Sequence, residues 1–216
     1  MNRHLFAVSL LFAFSLSCVK GQTVEPFVKG GLTVGFFDNG VSNVEDVGHT
    51  GFNMGAGVMI PVNKLRHLSL EPSVVFVSKG DVYDVRKAGG RVSFNLRYLE
   101  AQCDFVYRWK VGKHCYVPLG TGLYGAYGIG GKVSATNGIT WFKGIPVGES
   151  PSAFDSSIGT TRWDVGWRVC TLGVDYCHFL FRFDMEMGFV SQFRNRLSNR
   201  GGDNNVNFSF IVGYLF

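Results

Sequence analysis

Asn205-Val-Asn-Phe-Ser-Phe-Ile-Val-Gly-Tyr-Leu-Phe216 decides the fold. Its even positions, Val206, Phe208, Phe210, Val212, Tyr214 and Phe216, make one wholly apolar face. Its odd positions are small or polar, apart from Ile211 and Leu215. Period-two alternation is a strand signal, because successive side chains point to opposite faces. A strand with one aromatic face and one polar face needs two solvents. In a soluble sandwich the aromatic face turns inward; in a transmembrane barrel it turns outward to lipid.

The same two faces recur upstream. Phe179, Phe181, Phe183, Met185, Met187 and Phe189 oppose Arg182, Asp184 and Glu186. Similar sets run through 27–37, 50–60, 67–79, 91–109, 114–130 and 162–176, which with 179–193 and 205–216 predicts eight strands. Two of them change phase: Val92, Phe94, Leu96 and Tyr98 read as outward before Leu99, Ala101 and Cys103 take over, and Val169 gives way to Cys170. A one-residue slip is the mark of a β-bulge, so bulges are expected near Tyr98–Leu99 and Val169–Cys170. Connections alternate between short (after strands two, four and six) and long (after one, three, five and seven). That is the rhythm of short periplasmic turns and longer outer loops.

The charges separate barrel from sandwich. Glu71, Arg97, Glu100, Asp104, Arg108, Asp164, Arg168, Asp175, Arg182, Asp184 and Glu186 all fall on the polar face by parity. A sandwich would have to bury nearly every aromatic in one thin layer. In an eight-stranded barrel the same charges fill a narrow lumen, where they must pair because an unpaired buried ion costs several kcal/mol. The expected fold is an all-β, up-and-down, eight-stranded antiparallel transmembrane barrel in the bacterial outer membrane.

Composition agrees with export. The 216 residues include 29 Gly and 20 Phe, and only 17% are charged. Residues 1–21 read as a cleaved secretory signal: Arg3 and His4, an apolar run from Leu5 to Leu16, then Val19 and Gly21 before the cut. A lipoprotein signal with Cys18 lipidated is the competing reading. Residues 22–216 are then one barrel domain. Without Arg3 and Lys20 the formal charge falls from +5 to +3 (5 − 2), too mild to suggest nucleic acid. No later stretch of ~18 apolar residues exists to form a membrane helix.

Five segments stand out: Arg97-Tyr-Leu-Glu-Ala-Gln-Cys-Asp-Phe-Val-Tyr-Arg-Trp-Lys-Val-Gly-Lys113, Pro118-Leu-Gly-Thr-Gly-Leu-Tyr-Gly-Ala-Tyr127, Asp164-Val-Gly-Trp167, Gly173-Val-Asp-Tyr176 and Phe210-Ile-Val-Gly-Tyr-Leu-Phe216. Through them the mature chain resembles the PorT-like outer-membrane barrel proteins of Bacteroidetes. In that family Tyr-Leu-Glu usually continues with an aliphatic residue and Pro; here Ala101-Gln102 stands instead. The resemblance implies the barrel fold and the outer-membrane location; the family's name-giving member is implicated in protein secretion, and many members have no assigned activity.

Three functions are therefore weighed. The first is a structural or interaction component of the outer membrane. The second is an accessory of secretion. The third is a lipid-A-modifying enzyme, for which His49, Ser78 and Asp81 are the rim residues of suitable type. Catalysis is not expected, nor is a cofactor or a metal. Expected partners are outer-membrane lipid and lipopolysaccharide, the barrel assembly machinery and secretion-complex proteins, with no nucleic acid. The long 131–161 loop, with Trp141, Phe142 and Phe154, is the binding candidate. Tyr214 and Phe216 form the expected assembly signal, by resemblance to other barrels that end in an aromatic. Cys115 and Cys177 fall near one rim, where a disulfide is open to them.

Overall fold

The last strand pairs with the first. In the computed structural model, which describes residues 24–38, 45–62, 67–85, 90–136, 152–155, 158, 160–192 and 204–216, Asn204–Leu215 lies antiparallel to Glu25–Asp38, from Phe27↔Leu215 to Asp38↔Asn204. That pairing closes a ring. In chain order the strands are β1 (Glu25–Asp38), the two-residue β2 (Glu45–Asp46), β3 (His49–Pro61), β4 (Leu68–Val85), β5 (Gly90–Lys110), β6 (Cys115–Ala135), β7 (Trp163–Tyr176), β8 (Phe179–Ser191) and β9 (Asn204–Leu215). The ring runs β1-β3-β4-β5-β6-β7-β8-β9 and back to β1, every contact antiparallel, while β2 adds a short pair to the outer end of β4. Closure leaves no sheet edge within the bilayer, which is what a spanning sheet requires. Residues 1–21, the expected signal segment, lie outside the described residues.

β9 shows how parity becomes architecture. Asn205, Asn207, Ser209, Ile211 and Leu215 are buried inside the ring, whereas Phe210, Val212, Tyr214 and Phe216 are exposed on its outer surface. On β5 the outward set is Leu99, Ala101, Cys103, Phe105, Tyr107 and Trp109. At about 3.3 Å per residue and the usual tilt, this covers roughly 25 Å of bilayer.

Two strands, β4 and β6, run farther out than expected. β4 and β5 stay paired to Val85↔Gly90, and β5 and β6 to Val92↔Ala135, forming a wall above the membrane. The loop after β6 accordingly begins at residue 136, not 131. Gly80 and Gly131 flank β5 at Asn95 and Leu96, with φ of 155° and 154°. A Cβ on Gly80 would lie 1.9 Å from the Phe94 carbonyl oxygen, so the bend there requires glycine.

The wall corrects one expectation. Val92, Phe94, Leu96 and Tyr98 point into the barrel, each fully buried, and β5 alternates without a break. Above the bilayer there is water outside, so the apolar face turns inward. The register does shift at Arg97/Tyr98, but the extra residue is Ile129 of β6, between Gly128 and Gly130. The slip in β7 is where the alternation puts it: Arg168 and Cys170 pair with the consecutive Glu186 and Met185, leaving Val169 as the bulge.

The interior is layered. Phe27, Met59, Leu180 and Leu215 pack at the end carrying the short turns and the first and last strands' termini. Phe37, Val77, Tyr83, Phe94, Tyr98, Tyr124 and Phe154 belong to a larger apolar cluster at the opposite, outer end. Between them lies a polar belt.

Candidate functional site

The belt is built by strands facing each other across the ring. Near the periplasmic end, Arg182 of β8 reaches across to Glu71 of β4 (Nη1–Oε2 2.6 Å) and to Asp175 of β7 (Nη2–Oδ2 3.0 Å). Arg108 of β5 donates to the same Asp175 oxygen through Nε and Nη2, at 3.0 and 2.7 Å. In the middle, Arg168 of β7 pairs with Asp184, with Asp104 (Nε–Oδ1 3.1 Å) and with Glu186 (3.7 Å). Toward the outer end, Lys79 of β4 pairs with Glu100 and with Glu186 of β8 (3.1 Å), its ammonium 4.2 Å from the centre of the Tyr124 ring. Tyr124 and Asn205 both donate to Asp164, at 3.1 and 2.8 Å. β4 and β8 are diametrically opposite in the ring, so Arg182–Glu71 and Lys79–Glu186 bridge the lumen itself.

Arg97 does not join this belt. It is exposed on the outer surface of β5, because the even residues of that strand face inward along its whole length. Three side chains that the charge pattern did not single out do join it. Lys29 donates to Gln102 Oε1 at 2.8 Å, Arg168 donates to the same oxygen, and Gln102 Nε2 donates to Glu100 at 3.0 Å. Gln102 thus links cations to carboxylates from the middle of β5. It occupies a position where the resembled family carries another residue, so the departure from that pattern was its only signal. Lys79 stood at the last position of an expected strand, and Lys29 lay beside glycines with no charged neighbour in sequence.

Both mouths are restricted. At the outer end Phe154 packs edge-on against Tyr98 (centroids 5.7 Å apart) above Gly128, where a Cβ would lie 2.2 Å from its ring. Tyr98 donates to Gln192 at 2.7 Å beneath it. Trp141 and Phe142 lie outside the described residues. At the periplasmic end a vestibule of about 450 Å³, lined by Glu25, Arg108, His114, His178 and Phe216 among others, stops at Met59 and Arg108. Phe216 itself is exposed and its amide donates to the Pro26 carbonyl at 2.9 Å; Tyr214 stacks on His178.

Two of the three rim residues weighed for catalysis, Asp81 and Ser78, are otherwise engaged, while the buried His49 Nε2 has no hydrogen-bond partner among the described residues. The Asp81 carboxylate accepts from the amides of Phe37 (2.9 Å) and Val82 (2.6 Å), and the Ser78 hydroxyl donates to Asn95 (3.1 Å) rather than to an imidazole. A hydroxyl nucleophile needs its base within hydrogen-bond reach, and this arrangement does not supply one. Among the described residues no group of three His, Cys, Asp or Glu is placed to hold a metal. Cys115 and Cys177 both carry free thiols.

No curated protein matches the sequence significantly. Among solved structures, Neisserial surface protein A is similar over 91% of this chain and 100% of its own, at 13% identity and a TM-score of 0.47. Ail, the attachment invasion locus protein of Yersinia pestis, in complex with the heparin analogue sucrose octasulfate, is similar over 89% and 99%, at 12% identity and a TM-score of 0.43. The N-terminal barrel domain of Pseudomonas aeruginosa OprF is similar over 90% and 100%, at 11% identity and a TM-score of 0.38. The family model of the outer membrane protein beta-barrel domain matches residues 21–194, most of the chain. The closed ring of two-faced strands and this match lead to one conclusion: the chain belongs to the outer membrane protein beta-barrel domain family and is a protein of the bacterial outer membrane.

Proposed function

We propose that this barrel is a non-conducting structural and interaction component of the outer membrane, working through its exposed outer face and not through its lumen. One observation carries the reading: ion pairs of 2.6 and 3.1 Å join opposite walls of the ring, with apolar clusters on both sides of them. A barrel of this size fills with side chains, and here the filling is a paired network that a permeating ion would have to dismantle. In planar bilayers the purified protein should give no steady conductance; a large stable current would end this reading.

The cellular role is tested with a deletion strain assayed together for envelope permeability, secreted proteins and lipid A composition. The proposed role expects a weakened permeability barrier with secretion and lipid A unchanged. The narrower kinship with PorT-like barrels, supported by the segments Arg97–Lys113 and Pro118–Tyr127, favours secretion as the second reading. Loss of secreted proteins would put that reading first. A change in lipid A acylation would point to enzymatic work instead.

A further inference from the structure

Arg97, displaced from the lumen, lies in an informative place. On β5 the outward apolar series ends at Leu99, and Arg97 is the next outward residue. On β6 the series ends at Tyr127 and Ile129, and the next exposed side chain is Lys132. On β7 it begins at Trp163, and the residue before it is the exposed Arg162. Two adjacent strands, β5 and β6, therefore each place a cation as the first outward side chain beyond the membrane band, and Arg162, just before β7, lies beside them with its guanidinium 5.2 Å from the centre of the Phe154 ring. On four of the other strands the corresponding residues are Thr50, Ser78, Ser191 and Asn204.

The local geometry brings the three together. Arg97 pairs with Gly130 and Asn95 with Lys132, so Arg97 and Lys132 are diagonal neighbours about 7–8 Å apart across β5 and β6. Arg162 reaches the same strand from the other side, its Nη1 donating to the Gly128 carbonyl at 3.2 Å. The floor between them carries no side chain at Gly130, where a Cβ would have nothing within 4 Å. The Ile129 bulge is what turns Gly130 to the outward row beside Arg97. Lys132 is flanked by Ser152 across an isolated bridge, which adds a hydroxyl to the rim. Among the described residues neither Arg97 nor Lys132 meets a carboxylate, whereas Arg91, farther out, is paired with Asp84 at 3.4 Å. Directly below, Tyr127 and Trp163 meet edge-on with centroids 4.9 Å apart, an aromatic pair of the kind that sits at the membrane–water boundary.

We propose that Arg97 and Lys132, with Arg162 beside them, form a binding face for the phosphate of the phosphorylated glycolipid in the outer leaflet, with the Tyr127–Trp163 pair against its acyl region. Arg97 and Lys132, which meet no carboxylate among the described residues, match an anionic headgroup in charge and height, and a phosphate accepts hydrogen bonds from several donors at once. The proposal rests on the outer-membrane placement and is independent of whether the lumen conducts.

The test uses full-length mature protein refolded in zwitterionic detergent and titrated with bis-phosphorylated lipid A by native mass spectrometry. Parallel titrations use dephosphorylated lipid A, phosphatidylglycerol, and lipid A in the presence of excess inorganic phosphate. Wild type should bind lipid A at least about tenfold better than its dephosphorylated form or phosphatidylglycerol, and inorganic phosphate should not displace it. R97S/K132S should bind about thirtyfold more weakly, as expected for two headgroup-level cations. R97K/K132R should retain most of the affinity, and K110S, at the opposite rim, should match wild type. Heat-modifiable gel migration of every variant establishes that the barrel is intact. Equal binding by R97S/K132S and wild type would overturn the proposal. So would indifference to the lipid A phosphates, equal binding of phosphatidylglycerol, full displacement by inorganic phosphate, or an equal loss in K110S.

Discussion

Arg168→Leu is the sharpest perturbation of the lumen. The guanidinium is 1% exposed and pairs with Asp104, Asp184 and Glu186 while donating to Gln102. Its removal leaves Asp104 and Asp184 facing each other without it; Lys79 is already committed to Glu100 and Glu186. Breaking a buried pair by deleting one partner costs about 3–5 kcal/mol. Against a total stability of roughly 5–15 kcal/mol, that is a large fraction. Reversible urea unfolding in lipid vesicles, followed by tryptophan fluorescence, measures it. Trp163 and Trp167 are exposed on the outer surface, so their emission reports departure from lipid. The expected result is a midpoint lower by roughly 1–2 M urea. Arg168→Leu combined with Asp184→Leu should recover part of the loss, since the second substitution removes one of the stranded charges. A single-variant loss below about 1 kcal/mol would mean that water solvates the belt, and the argument for a sealed, paired interior would fail.

Two other substitutions probe different layers. Gly80→Ala should lower the folded, heat-modifiable fraction, because the new Cβ meets the Phe94 carbonyl at 1.9 Å and a φ of 155° is strained for any other residue; an unchanged folded fraction would show that the wall above the membrane can relax. Phe216→Ser should reduce assembly into the outer membrane in pulse-chase fractionation while Phe216→Tyr preserves it, and equal assembly of both would remove the role assigned to the terminal aromatic.

What the sequence could show depended on where two solvents meet. β8 and β9 were readable because lipid and lumen impose opposite chemistry on alternate residues. The Val169 bulge was readable because the slip is written in β7's own alternation. The outer half of β5 was misread for a physical reason. Beyond the membrane the outside is water, so Val92, Phe94, Leu96 and Tyr98 go inward, and the rule that apolar means lipid-facing reverses within a single strand. That reversal is also what sent Arg97 out of the lumen. The β6 bulge left no hydropathic trace because Gly128, Gly130 and Gly131 have no side chains to change phase. Gln102 was missed because attention to charge overlooks a neutral amide, yet an amide can accept from Lys29 and Arg168 while donating to Glu100.

The pairing of β1 with β9 has a consequence for biogenesis. Phe27 and Leu215 are partners at opposite ends of the described sequence, so the ring cannot close until β9 has been made and exported. Bringing such ends together carries a loop-closure entropy of roughly 4–5 kcal/mol before any contact repays it. An unclosed sheet would also leave Glu71 and Arg182 on separate halves, each charged and without the other. Pairs such as Arg182–Asp175 and Lys79–Glu100 join neighbouring strands and can form beforehand, but the cross-lumen pairs wait for closure. The intermediate that precedes it has a raw edge and a Glu71 without its cation, both of which the hydrocarbon disfavours. The cross-lumen pairs therefore favour insertion of chains in which β9 has found β1.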